Sequence, residues 1–167
     1  MFDSESLTSR ERKYTFFLQK NNRIEETIFI EKPSMQENAK HIAALQQLLQ
    51  TLPVSFGETL YVHMKRKHYT DMRLANASLL SSKMVHEYRT KPYSNIKIGT
   101  TVALCVGLHL HPLLSYDLIE KTANRFVPTL EHTAYQLILQ TMTDKTIYEC
   151  NDFLNSLGIA PLTGKTS

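Results

Sequence analysis

The chain has 167 residues, 42% of them hydrophobic and 21% charged, with a formal net charge of +3. That is enough apolar material for one sizeable core, and no apolar run approaches the roughly 20 residues that a bilayer span needs. The first residues, among them Asp3, Glu5, Arg10, Glu11, Arg12 and Lys13, lack the apolar segment of a signal peptide, so a cytoplasmic location is expected.

Residues 1–12 are polar and without pattern and are expected to be loosely attached. Lys13 to Gln19 and Arg23 to Glu31 are rich in Phe and Ile and flank Lys20-Asn21-Asn22, where Asn tolerates the left-handed conformation of a tight turn. A β-hairpin is expected there. A lone hairpin is marginal in water, so it should pack on helices or add its edge to another chain. Ser34 and Glu37 then form a capping box that opens a helix with Met35, Ile42, Leu45, Leu49 and Leu52 on its apolar stripe, ended by Pro53. A second box, Ser55 with Glu58, starts a helix whose Phe56, Leu60 and Met64 face inward before the basic run Lys65-Arg66-Lys67.

The stretch Thr70 to Tyr88 is the most informative. Thr70 and Ser81 stand where helix N-caps belong. Leu74, Ala75, Leu80, Val85 and Tyr88 fall on inward faces, while Ser82, Lys83, His86, Glu87 and Thr90 point outward. Two short helices joined by a tight turn, the second with a polar outer face, make a helix-turn-helix.

Beyond a loop over 91–97, the run Ile98 to Leu110 is almost wholly apolar and is read as a buried central helix. Pro112 suits the first turn of a helix carrying Leu113, Leu114, Leu118 and Ile119. Leu130–Met142 and Thr146–Leu157 are two further amphipathic helices, the last with a Thr146/Glu149 capping box and Gly158 as its stop. The tail from Thr163 is expected to fray. Cys105 and Cys150 lie within helical patterns and are read as core thiols rather than a disulfide. Three segments result: an extension over 1–53, a helix-turn-helix domain with C-terminal helices over 54–160, and a tail over 161–167.

Charge is unevenly placed. Residues 61–100 hold eight basic and two acidic residues, a local net of +6 that leaves −3 for the remainder. A phosphate backbone is the partner such a patch favours.

Thr70, Leu74, Ala75, Leu80, Ser81, Val85 and Tyr88 match the cap and core positions of the Xre/Cro/phage-repressor type of helix-turn-helix, which this chain resembles. It also resembles a group of bacterial proteins in which the motif is followed by a Thr-rich apolar helix and further helices, here through Thr100, Ala103, Leu104 and Leu108. The resemblance spans about 55–160 and leaves out the first 50 residues. It implies a five-helix DNA-binding domain, commonly dimeric, acting in transcription regulation. One position departs from the motif: Leu79 stands where Gly is usual, which implies either a wider turn or about 1 kcal/mol of strain.

The expected fold is therefore mostly α: a Cro/repressor-like bundle with a small N-terminal β-hairpin and extra C-terminal helices. The expected function is DNA binding as a homodimer, with Ser82, Lys83, His86 and Glu87 addressing base edges in the major groove and Thr70, Lys67, Lys91 and Lys97 holding phosphates. The alternative is a protein-interaction module, an antitoxin-like or adaptor subunit, that binds a partner through the hairpin. Neither an enzyme nor a cofactor is expected. The seven histidines show no metal-ligand spacing, Ser94-Asn95-Ile96-Lys97 lacks the companion motifs of a Ser-x-x-Lys nucleophile, and Gly164-Lys165-Thr166 lacks the upstream Gly and following helix of a phosphate loop.

Overall fold

The structure, a computed structural model, describes residues 34–92 and 95–164. Among the described residues there are eight α-helices and no β-strand, so the chain is mostly helical. None of these helices is long and apolar enough to cross a membrane. Residues 1–12, the hairpin expected over 13–31, and residues 165–167 lie outside the described part. Two compact units divide the chain, residues 1–51 and 52–167.

The described part of the first unit is α1 (Met35–Thr51). Its capping box forms in both directions: the Ser34 amide donates to Glu37 Oε2 at 2.8 Å and the Glu37 amide to Ser34 Oγ at 3.2 Å. Of the expected stripe, Leu45 is buried, whereas Met35 and Ile42 are exposed.

The second unit runs α2 (Phe56–Arg66), α3 (Asp71–Ser78), α4 (Ser82–Thr90), α5 (Ile98–Gly107), α6 (Pro112–Glu120), α7 (Leu130–Thr141) and α8 (Ile147–Ser156). Every residue from Thr101 to Gly107 is buried, which suits a helix that is apolar all round. Accordingly α5 is the hub, packing against α3, α6, α7 and α8, while α4 lies in the angle between α2 and α3. Leu60, Leu74, Val85, Leu104, Leu108, Leu114, Leu118, Ile138 and Leu154 are fully buried, each contributing roughly 1.5–3 kcal/mol relative to an exposed position. Both thiols are buried and free, and loss of hydration pushes each up to about 12.

Three of the connections share one design. After α2, α3 and α5 the chain passes through a left-handed residue, His68, Leu79 or His109, with φ of 55°, 53° and 49°. The next amide then reaches back five residues: Tyr69 to the Met64 carbonyl at 2.8 Å, Leu80 to Ala75 at 3.0 Å, and Leu110 to Cys105 at 3.1 Å. An N-cap follows at once, Thr70, Ser81 or His111, with its side chain accepting an amide of the new helix. This closure satisfies orphan carbonyls and turns the chain within three residues. Gly158, at φ 71°, serves the same end after α8.

The closure corrects one expectation and decides between the alternatives of another. The apolar run to Leu110 is cut at Gly107, because the amides of His109 and Leu110 return to Val106 and Cys105. Leu79 takes φ 53° and ψ 36°, so the turn stays tight and the side chain accepts the steric cost of the left-handed region, about 1–2 kcal/mol. The tail is corrected as well: Leu162 is buried and Thr163 is hydrogen-bonded to Ser78 and Asn151, so the chain as far as Thr163 packs within the second unit.

Gly57 is required by close approach. A Cβ there would lie 2.8 Å from the Tyr88 carbonyl oxygen and 3.1 Å from Arg89 backbone atoms, so α2 and α4 touch backbone to backbone. Gly57→Ala should destabilise the protein by about 1–3 kcal/mol despite its better helix propensity, read as a lowered urea midpoint. A neutral or stabilising result would contradict this contact.

Candidate nucleic-acid interface

The pair of short helices α3 and α4, joined by the tight turn at Leu79–Ser81, is built from caps inward. Thr70, extended at φ −86°, accepts the Arg73 amide at 3.2 Å and starts α3. Ser81, at φ −81°, accepts the Met84 amide at 3.1 Å and starts α4. Leu74, Ala75 and Val85 are buried, with Leu80 and Tyr88 half-buried. Ser82, Lys83 and His86 are left exposed on the outer face of α4.

An ion pair links the start of α3 to the end of α4. Arg89 donates through Nε to Asp71 Oδ1 at 2.6 Å and through Nη2 to Oδ2 at 3.0 Å, a two-pronged pair. His86 Nδ1 lies 3.1 Å from Asp71 Oδ2 and 3.2 Å from Arg89 Nη2, and it can serve only one of them at a time. With the proton on Nδ1 it becomes a further donor to the carboxylate and turns Nε2 outward as an acceptor. Hydrogen bonding from Arg89, opposed by burial and reinforced by His86, holds the Asp71 carboxyl below its ordinary 3.8. The same pair raises Arg89.

Tyr61, Met64, Tyr69, Thr70, Asp71, Met72, Ser82, Lys83, His86 and Arg89 line an open cleft of about 670 Å³ between α2, α3 and α4. Cations stand on its two tyrosines: Lys65 Nζ is 4.9 Å and the Arg89 guanidinium 5.4 Å from the Tyr61 ring centre, and Arg73 is 4.3 Å from that of Tyr69. Lys65, Arg73, Lys83 and Lys97 are exposed and form no ion pair among the described residues.

Of the eight residues singled out from the sequence, Thr70, Ser82, Lys83 and His86 meet around this cleft. The other four do not line it. Lys67 is buried, its ammonium donating to the His109 carbonyl at 3.3 Å, and so cannot hold a phosphate as expected. Glu87 is half-buried and paired with Lys91 at 3.1 Å across one helical turn. Lys97 is exposed at the N-cap of α5. Sequence reasoning passed over Asp71, Arg89, Arg73, Lys65 and the two tyrosines. Asp71 reads as an ordinary acidic first-turn residue, and nothing in the sequence pairs it with an arginine 18 residues on. Among the described residues no three or more His, Cys, Asp or Glu side chains converge as metal ligands.

No protein-family model, curated protein or solved structure matches the chain.

Because the folded-state pKa of Asp71 is depressed, its stabilising effect is present above the unfolded value and is lost as pH falls through the folded one. Asp71→Asn should therefore be less stable than the wild type by about 1–2 kcal/mol at neutral pH. The gap should hold down to about pH 5 and close progressively on acidification below 3.8. Urea unfolding of both proteins across pH 2.5–7 measures it, and a gap that is flat or widens in acid would refute the assignment.

Proposed function

We propose that this chain is a helix-turn-helix DNA-binding regulator in which α4 enters the major groove. One observation carries the reading: the tight Leu79–Ser81 turn presents the exposed Ser82, Lys83 and His86 at the mouth of a cleft whose rim bears Lys65 and Arg73. An exposed polar helix start flanked by unpaired cations matches what a duplex offers, base edges between two rows of phosphates.

Lys83 is suited to guanine O6 and N7, and Ser82 to several edges. His86, when its Nδ1 proton is given to Asp71, offers Nε2 to an exocyclic amine of cytosine or adenine. Glu87, held by Lys91, is the least available of the expected base readers. Backbone anchoring falls to Arg73 and Lys65 together with Thr70, in place of the buried Lys67. Action on transcription and pairing into a two-fold dimer are part of the proposal, as the Xre/Cro resemblance implies.

The competing reading, a protein-interaction module, draws on the exposed Met72, at 66%, and Met84, since methionine suits adaptable apolar contacts. Fluorescence anisotropy with random duplex DNA across a salt series separates the two. Affinity should fall linearly on logarithmic axes. Lys65→Ala/Arg73→Ala should flatten the slope by about 0.9 for each phosphate left without its cation, and Lys83→Ala/His86→Ala should cost about 10- to 100-fold against a selected site. No binding by the wild type at low salt would overturn the reading in favour of a protein partner.

A further inference from the structure

The end of the described chain returns to the helix-turn-helix. After Gly158 it runs back along α8, where Asn151 grips it twice: Oδ1 accepts the Leu162 amide at 2.9 Å and Nδ2 donates to the Thr163 carbonyl at 3.3 Å. Leu162 is buried, and its carbonyl passes beside Gly99 at the start of α5. Thr163 Oγ1 then donates to the carbonyl of Ser78, the last residue of α3. Gly164, at φ 97°, lies near the Leu79 side chain; a Cβ there would sit 3.4 Å from Leu79 Cδ1.

Each contact meets a specific need of the turn. The final carbonyls of a helix have no intrahelical donor, and in α3 both the Leu79 and the Leu80 amides return to Ala75. The Ser78 hydroxyl is spent on the Leu74 carbonyl at 2.7 Å. The Ser78 carbonyl therefore receives its donor from Thr163, 85 residues away in sequence. The next residue, Leu79, holds the left-handed conformation that a branched side chain resists, and such a conformation persists only where its surroundings over-determine it.

We propose that Leu162–Gly164 is a strap that fastens the helix-turn-helix turn, with Thr163 as a positioning residue that fixes the angle at which α4 leaves α3. The C-terminal helices thereby set the geometry of the outer face of α4. The consequence for DNA rests on the function proposed above; the mechanical claim stands on the contacts alone.

Amide hydrogen exchange on the full chain tests it, comparing wild type, Thr163→Val, which keeps the branched shape and removes the donor, and Thr163→Ser, which restores the hydroxyl. In Thr163→Val the amides of Leu79 and Leu80 should exchange about tenfold faster, more than the amide of Leu108 at the C-cap of α5, and Thr163→Ser should return them to near the wild-type rate. Equal acceleration in turn and core, no acceleration, or failure of the Ser variant to restore protection would overturn the strap. The same three proteins are then assayed on duplex DNA. If the strap works and the wild type binds, Thr163→Val should retain low-salt affinity and lose base preference. Turn-specific acceleration in a chain that binds no DNA would uphold the strap and overturn the DNA reading. Intact DNA binding with uniform exchange would do the reverse.

Discussion

At eight and nine residues, α3 and α4 are each too short to hold themselves together in water, let alone to hold a fixed angle to one another. Their geometry is supplied entirely by what surrounds them. Leu74 and Val85 bury one side against the core. Gly57 lets α2 come within backbone contact of α4, and Asp71 ties the start of α3 to Arg89 near the end of α4. The strap from α8 caps the far end of α3. These restraints act at different points on the pair, so the turn can carry a left-handed leucine that no isolated helical hairpin would choose.

The same restraints decide which charges remain available. Of the eight basic residues in 61–100, Lys67 is buried, Arg89 is bound by Asp71 and Lys91 by Glu87. The field outside the protein is then carried by fewer groups, of which Lys65 and Arg73 are held out on tyrosine rings. A cation stacked on an aromatic face keeps its charge and most of its hydration while losing some of its freedom, which lowers the entropy cost of meeting a phosphate.

The helices were legible from short-range signals. The capping pairs Ser34/Glu37 and Thr146/Glu149, the N-caps Thr70 and Ser81, and Pro112 at the first turn of α6 all stand where a short-range rule puts them. Ser55 and Glu58 form a variant of the box, with the hydroxyl donating to the carboxylate at 2.6 Å. Long-range pairings were not legible. The burial of Lys67 depends on the His109 carbonyl and the role of Asp71 on Arg89, and the docking of Thr163 depends on a carbonyl at the other end of the domain. A basic tripeptide at a helix end reads as surface whichever way its members turn. A short segment broken by Pro161 and Gly164 after a glycine stop likewise reads as a tail until Asn151 is seen to hold it.

Whether the outer face of α4 meets a duplex can be read residue by residue by titrating the 15N-labelled protein with duplex DNA and following each backbone amide by NMR. Shifts should be concentrated over Thr70–Arg73 and Ser81–His86 and fade with added salt, with little change along α7 and α8. Shifts gathered on α7 and α8, or a spectrum indifferent to DNA at low salt, would contradict that contact.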